Sequence, residues 1–86
     1  MHKPMITIVA MSVHLFHDVI LEETKIYEQN KQLTIHVTVS LKAHDRLLAL
    51  CEQVQKQIID DIYEITGWPV SAVHLYVHRL VDEKNA

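Results

Sequence analysis

Residues that break regular structure are rare in this chain, which has one glycine and two prolines among 86 residues. Linkers between domains are usually rich in such residues, so the sequence predicts a single domain over residues 1–86 with a frayed polar tail at 82–86. The lack of glycine also excludes a phosphate-binding loop and the Gly-x-x-Gly loop of a KH-type RNA-binding module. A chain of this length buries one small core.

Cysteine and long apolar runs are also scarce. The single cysteine, Cys51, cannot form an internal disulfide, and the N-terminal segment lacks the apolar core and cleavage site of a signal peptide. No run approaches the roughly 18 consecutive apolar residues of a membrane span. We therefore expect a cytoplasmic protein without direct membrane insertion, peripheral at a membrane only through a partner.

Charge of one sign is not in excess, because 8 basic and 11 acidic residues are well mixed and give a net charge of -3. Such a surface carries no basic patch for nucleic acid or for anionic lipid. The expected partners are proteins.

Two segments alternate as strands do. In "QLTIHVTVSL" the aliphatic residues at 33, 35, 37, 39 and 41 alternate with polar ones, which predicts a strand with one buried face. Residues 19–28 read as a second strand, followed by a polar turn at 29–31, so the two form an antiparallel hairpin.

The apolar period changes to three and four between residues 45 and 65, which predicts a long amphipathic helix. Its apolar stripe consists of Leu47, Leu50, Cys51, Val54, Ile58, Ile62 and Ile65. Asp45 is the expected N-cap, Gly67 the expected left-handed C-cap, and Pro69 cannot continue the helix. A final strand over 70–81 begins at once.

Short connections at both ends of the helix imply that the strands on either side of it are parallel. The predicted fold is therefore an α+β two-layer domain, a mixed β-sheet with one long helix, about 45–65, on one face. The aliphatic set of the first strand and Val73, Leu75 and Val77 of the last are expected to pack beneath the helix.

The first twenty residues fit two patterns. Residues 9, 11, 13 and 15 alternate as in a strand, whereas 6, 9, 13, 16 and 20 form a helical stripe. We expect an initial strand from about Met5, running into a short helix.

One block, from "LTIHVTVSLK" to "WPVSAVHLYVHRLV", resembles the C-terminal half of the alkaline-shock, or envelope stress response, protein family of Gram-positive bacteria. Val54 and Gln55 match a Val-Gln pair in that family's helix, and Thr66 and Gly67 match its Thr-Gly helix stop. The strand "VHLYV" at 73–77 stands where the family has Val-Asn-Val-x-Val. The resemblance covers residues 33–81.

The chain also departs from the family pattern. "KAHD" replaces a Tyr-Gly before the helix, His74 replaces an asparagine, and the family's N-terminal helix followed by a Pro-Gly-Val turn is not evident in "ITIVAMSVHLFHDVILEE". The resemblance implies a non-enzymatic, self-associating cytoplasmic protein held at the envelope by a membrane anchor protein. It implies no catalytic residue and no cofactor.

Seven histidines suggest metal binding, which strand geometry restricts. His74 and His78 share a strand but stand ~13 Å apart, too far to ligate one ion together. Side chains opposed on neighbouring strands have Cβ atoms about 5 Å apart, so His36 with His74 or His78 is the candidate pair. The main interpretation of these three residues is a solvated or interface role, and a zinc-type site is the alternative.

The other histidines are weaker candidates for metal ligands. His14 and His17 share a face only in a helix, and His44 beside Asp45 belongs to the start of the long helix. Cys51 lies in the apolar stripe and is interpreted as a small buried side chain.

Two further features are interface candidates. Three acidic residues lie near the C-terminal end of the long helix, where their charge opposes the helix dipole: Asp60, Asp61 and Glu64. They form either a docking site for a basic partner or a solvated face. Lys56 can pair with Asp60 at the i,i+4 spacing. Trp68 either covers the end of the core or stands exposed as an anchor.

The predicted function is a scaffold that self-associates or docks on a membrane-anchored partner. Its interface is expected on the second sheet face, which displays His36 and, on the last strand, Ala72, His74, Tyr76, His78 and Leu80, or at the N-terminal strand edge. A small enzyme has no positive support in the sequence.

Overall fold

Two helices and three strands make up the computed structural model, which describes residues 3–42 and 45–81. The elements are helix α1 (Lys3–His14), strands β1 (Val19–Gln29) and β2 (Gln32–Lys42), helix α2 (Leu47–Thr66) and strand β3 (Val70–Val81). The strand order is β1-β2-β3. This arrangement confirms the predicted α+β fold with a mixed sheet and a long helix on one face.

The β1–β2 hairpin follows the predicted alternation. Its strands pair antiparallel up to Gln29 and Gln32, and the two residues between them, Asn30 and Lys31, have φ of 56° and 62°. Two consecutive positive φ angles give the turn that matches the twist of a tight hairpin. The core-facing residues of β2 are essentially inaccessible to solvent.

Helix α2 connects two parallel strands, as its short connections predicted, since β2 and β3 pair in parallel. Gly67 ends the helix at φ 79° and donates its N–H to the Tyr63 carbonyl at 2.8 Å, so the expected C-cap is confirmed. The expected N-cap is wrong. The helix begins at Leu47, and Arg46 precedes it without a side-chain capping bond, so Asp45 lies one residue too early to cap it.

The N-terminal segment is a helix, and the strand expected from about Met5 is wrong. Helix α1 packs against α2 and β1. Its buried residues are Ile8, Val9, Ser12 and Val13, with Met5 and Phe16 partly buried beside them. These positions repeat at three and four residues, so burial of one helical stripe decides between the two patterns.

A single cluster of buried side chains lies between the helices and one face of the sheet. Its members are Ile8, Val9, Val13, Val19, Leu33, Ile35, Val37, Val39, Leu41, Val54, Ile58, Ile62 and Val73. Two residues expected in this core lie largely outside it. Ile65 is 62% and Val77 44% exposed, because Ile65 falls on the last turn of α2 and Val77 on the edge strand near the limit of what α2 covers.

Irregularities in β3 change which residues share a face. The pairing with β2 shifts once between Val70 and Ala72 and again between Val77 and Arg79. The second bulge contains His78, and beyond it Leu80 lies opposite the core residue Leu41. The expectation that Leu80 continues the face of His74 and Tyr76 is therefore wrong, since one extra residue reverses the alternation, and His78 itself has no pairing partner in β2.

Candidate functional site

The sheet face turned away from both described helices is the candidate site, and we call it the open face. The strand register places on it Ile20, Glu23, Lys25 and Tyr27 of β1, Thr34, His36, Thr38 and Ser40 of β2, and Ala72, His74, Tyr76 and Arg79 of β3. Both described helices pack on the opposite face, where the core lies. Part of the second face anticipated from the sequence is thus present, without Leu80 and with His78 unpaired in the bulge.

Four aromatic or imidazole rings form a cluster at the centre of the open face. The rings of His36 and His74 stack with centroids 4.8 Å apart, and the ring of Tyr76 lies 5.7 Å from that of His36 at an interplanar angle of 7°. Tyr27 meets His36 edge-on at 5.3 Å. His36 Nδ1 lies 3.0 Å from Tyr76 Oη. We call these four residues the ring cluster.

The register explains why the rings meet. His36 and His74 are direct partners in the parallel β2–β3 ladder, Tyr76 is two pairs further along on the same face, and Tyr27 is diagonal to His36 across the hairpin. Side chains at such positions lie within contact distance. Tyr27 and Tyr76 remain 54% and 51% exposed, so the cluster presents apolar ring surface to solvent.

The cluster brings together one of the two histidine pairs considered for metal binding. His36 and His74 are adjacent, whereas His78 lies in the bulge and has no pairing partner in the ladder. The hydrogen bond with Tyr76 involves His36 Nδ1, so Nε2 is the ring nitrogen that could bind an ion. Within residues 3–42 and 45–81, no three or more His, Cys, Asp or Glu side chains are grouped to hold an ion.

The acidic group on α2 divides into different roles. Asp61 Oδ2 lies 2.7 Å from the Ser12 hydroxyl on α1, and both Asp61 oxygens accept from Gln57 Nε2. This residue therefore joins the two helices and is not available as a docking charge. Asp60 pairs with Lys56 at 3.4 Å, as the i,i+4 spacing predicted, and its side chain is 57% exposed. Glu64 is exposed.

Trp68 is partly buried against the core, in agreement with the interpretation that it covers the core's end. Its position follows from the helix stop. Thr66 Oγ1 donates to the Ile62 carbonyl at 2.6 Å and accepts from the Trp68 N–H at 3.1 Å. The Thr-Gly pair thus satisfies backbone groups at the helix end and turns the chain into β3.

Three polar contacts escaped the sequence analysis. Gln55 Nε2 donates to the Val73 carbonyl at 2.9 Å and ties α2 to β3. The buried Ser40 hydroxyl donates to Glu22 Oε2 at 2.7 Å. The third is the Ser12–Asp61 contact between the helices. Each joins residues far apart in sequence, so no local pattern indicates them.

The remaining candidates lie away from the ring cluster. His14 ends α1 and is exposed, His17 follows it beside Asp18 at 3.5 Å, and His44 lies outside the described residues. Cys51 is partly buried against the core, and burial raises the pKa of its thiol, which keeps it protonated and weakly nucleophilic. A depression along α2 is lined by Phe16, Gln53, Lys56, Gln57 and Asp60.

No family model matches the sequence, and a search of curated proteins finds no match. A solved structure, the metal-bound C-terminal domain of the CzcD transporter from Thermotoga maritima, is similar in fold, with a TM-score of 0.66 over 88% of this chain and 87% of that one. The two sequences are 12% identical, so the likeness shows the fold alone. It supports the α+β architecture.

Neither helix described in residues 3–42 and 45–81 combines the length and the apolar composition needed to cross a membrane.

Proposed function

We propose that this chain is a non-enzymatic interaction domain that self-associates through its sheet. The observation that carries the proposal is the ring cluster, which stands on a sheet face left uncovered by the described helices. Exposed aromatic side chains supply much of the binding energy at protein interfaces, because they bury a large apolar area with few rotatable bonds.

The sheet carries more exposed apolar surface than the cluster alone. Val77 and Leu80 on β3 are 44% and 52% exposed in addition to the two tyrosines. The charges at paired positions of the open face are of both signs, with Glu23 and Lys25 on β1 and Arg79 on β3. A mixed surface can meet a copy of itself without net repulsion, which favours a homo-oligomer over a strongly charged partner.

Size-exclusion chromatography with light scattering between low and high micromolar concentration tests self-association. We expect the average mass to rise from that of one 10.0 kDa chain towards that of two. A Tyr27→Ser, Tyr76→Ser double variant should shift the midpoint of that rise to higher concentration if the open face contributes. Leu48→Ser removes a 76% exposed apolar side chain on α2 instead and is the matched control.

A role at the cell envelope is a finer proposal, supported only by the resemblance of residues 33–81 to the alkaline-shock family. Gln55 and the Thr66–Gly67 stop, which carry that resemblance, have structural roles in this fold. A pull-down with the tagged full chain from a Gram-positive cell extract tests the proposal. Enrichment of a small membrane protein supports it, and a pull-down that enriches none contradicts it.

Divalent metal binding is the second candidate function, and the stacked pair of His36 and His74 favours it. Two imidazoles supply half of a tetrahedral zinc shell, and water or a group from another molecule would complete it. A domain of the same fold, the CzcD transporter domain, is described as metal-bound.

Zinc titration by calorimetry distinguishes this candidate. We expect His36→Ala to weaken binding by about tenfold or more, because one of two protein ligands is lost. The control is His14→Ala, which removes an exposed histidine from α1, away from the sheet. Equal affinity in wild type and His36→Ala would eliminate the site on the open face.

A further inference from the structure

We infer that β3 is the self-association edge and pairs antiparallel with β3 of a second copy, so that two three-stranded sheets join into one of six strands. The inference rests on the proposed self-association and names the surface and the register. In a sheet of order β1-β2-β3, β1 and β3 are the two edge strands. Edge strands carry backbone groups that can pair with another chain unless the sequence prevents it.

The two edges differ in their protection. Strand β1 carries Glu22, Glu23, Lys25 and Glu28, and it bulges at Glu22. Charged side chains and bulges are the usual means by which proteins keep an edge unpaired. Strand β3 has Arg79 as its one charged residue in twelve. Its two bulges, at Ser71 and His78, leave the regular segment 72–77 between them.

The exposed side chains of β3 fit a copy of the same strand. A two-fold axis through Leu75 pairs Leu75 with itself, Val73 with Val77 and His74 with Tyr76 of the other copy. Directly opposed residues share a face in an antiparallel pair. Val77, which is 44% exposed beside the helices, would thus be covered by an aliphatic side chain. An axis through His74 would instead place Val77 opposite the bulge at Ser71.

Backbone chemistry permits this pairing. The Val73 carbonyl accepts Gln55 Nε2 at 2.9 Å, and its second lone pair can accept from a neighbouring strand. Of the described elements, β2 and α2 make the main contacts with β3. The pairing also joins the two ring clusters, because His74 of each copy lies beside Tyr76 of the other, in one uninterrupted face.

Two matched substitutions test the edge by sedimentation equilibrium of the full chain. Val77→Lys places a charge on the β3 edge, and Ile20→Lys places the same charge on the open face of β1, at a residue of nearly equal exposure, 44% against 43%. We expect Val77→Lys to raise the dimer dissociation constant by about tenfold or more, because the two lysines of the dimer would be partly desolvated. Ile20→Lys should change it by less than about threefold.

A cysteine at the proposed axis gives an independent test of register. In a Cys51→Ala background, Leu75→Cys should form a disulfide-linked dimer on mild oxidation, because opposed antiparallel residues have Cα atoms about 5 Å apart, within disulfide reach. Ile20→Cys in the same background should stay unlinked. Circular dichroism of each variant confirms the fold before comparison.

The possible results separate the two proposals. A wild-type chain that stays monomeric overturns self-association itself. A wild-type dimer that Val77→Lys leaves unchanged, or that Ile20→Lys weakens as much, overturns the β3 edge while self-association stands. A dimer that persists without cross-linking through Leu75→Cys overturns the register. Weakening by Val77→Lys alone, together with the cross-link, supports the inference.

Discussion

Ile58→Ala should lower the free energy of unfolding by about 2 to 5 kcal/mol. Ile58 is fully buried in the middle of α2. Val54 and Ile62, one turn before and one turn after it on the same apolar stripe, are also fully buried. Truncation removes three carbon atoms and leaves a cavity between α2 and the sheet. The closely packed sheet limits how far the surrounding side chains can move to fill this cavity.

A loss of this size is large for an 86-residue domain, since small domains are stable by only about 5 to 15 kcal/mol. Urea denaturation followed by circular dichroism measures it. Leu48→Ala is the control, because Leu48 lies on the same helix but is 76% exposed, and its loss should change stability by less than about 0.5 kcal/mol. Equal effects of the two substitutions would contradict the assigned face of α2.

Gly67→Val should also lower the free energy of unfolding, by about 1 to 2 kcal/mol. Gly67 has a φ of 79°, a left-handed conformation that a β-branched residue adopts at high cost. A Cβ at this position would meet no atom within 4 Å, so the cost arises from the backbone and not from a clash. The same denaturation experiment measures it.

Gly67→Asn is the matched substitution, because asparagine tolerates the left-handed region better than other residues with a side chain. We expect it to cost less than valine. If both variants lost the same stability, side-chain contacts would have to explain the effect in place of the backbone conformation.

Much of the fold was predictable because its elements repeat at clear periods. Strand β2 and helix α2 carry unbroken apolar patterns of period two and of three to four, and one glycine marks the boundary between α2 and β3. The sequence placed His36 beside either His74 or His78, since the two strands are parallel neighbours, and the observed register selects His74.

The errors have physical causes. Residues 3–14 fit a strand and a helix almost equally, and only the packing of Ile8, Val9 and Val13 against the sheet and α2 decides for the helix. The bulge at His78 has no local sequence signal, yet it moves Leu80 away from the face of Tyr76. Asp61 has the sequence pattern of a surface charge, but it accepts a hydrogen bond from Ser12 on α1, a residue 49 positions away in the chain.

The stacked rings of the cluster explain why a chain with few charged site residues can still have a function. His36, His74, Tyr27 and Tyr76 lie on three different strands and form a contact surface only when the sheet is folded. In the proposed dimer, joining two sheets at β3 would double this surface and cover Val77. The ring cluster and the β3 edge are the structural basis of the proposed self-association.

Sedimentation equilibrium of the wild-type chain from low to high micromolar concentration tests the proposed self-association. We expect a monomer–dimer equilibrium whose dissociation constant rises in Val77→Lys and changes little in Ile20→Lys. A single species with the mass of one 10.0 kDa chain across the whole range would contradict it.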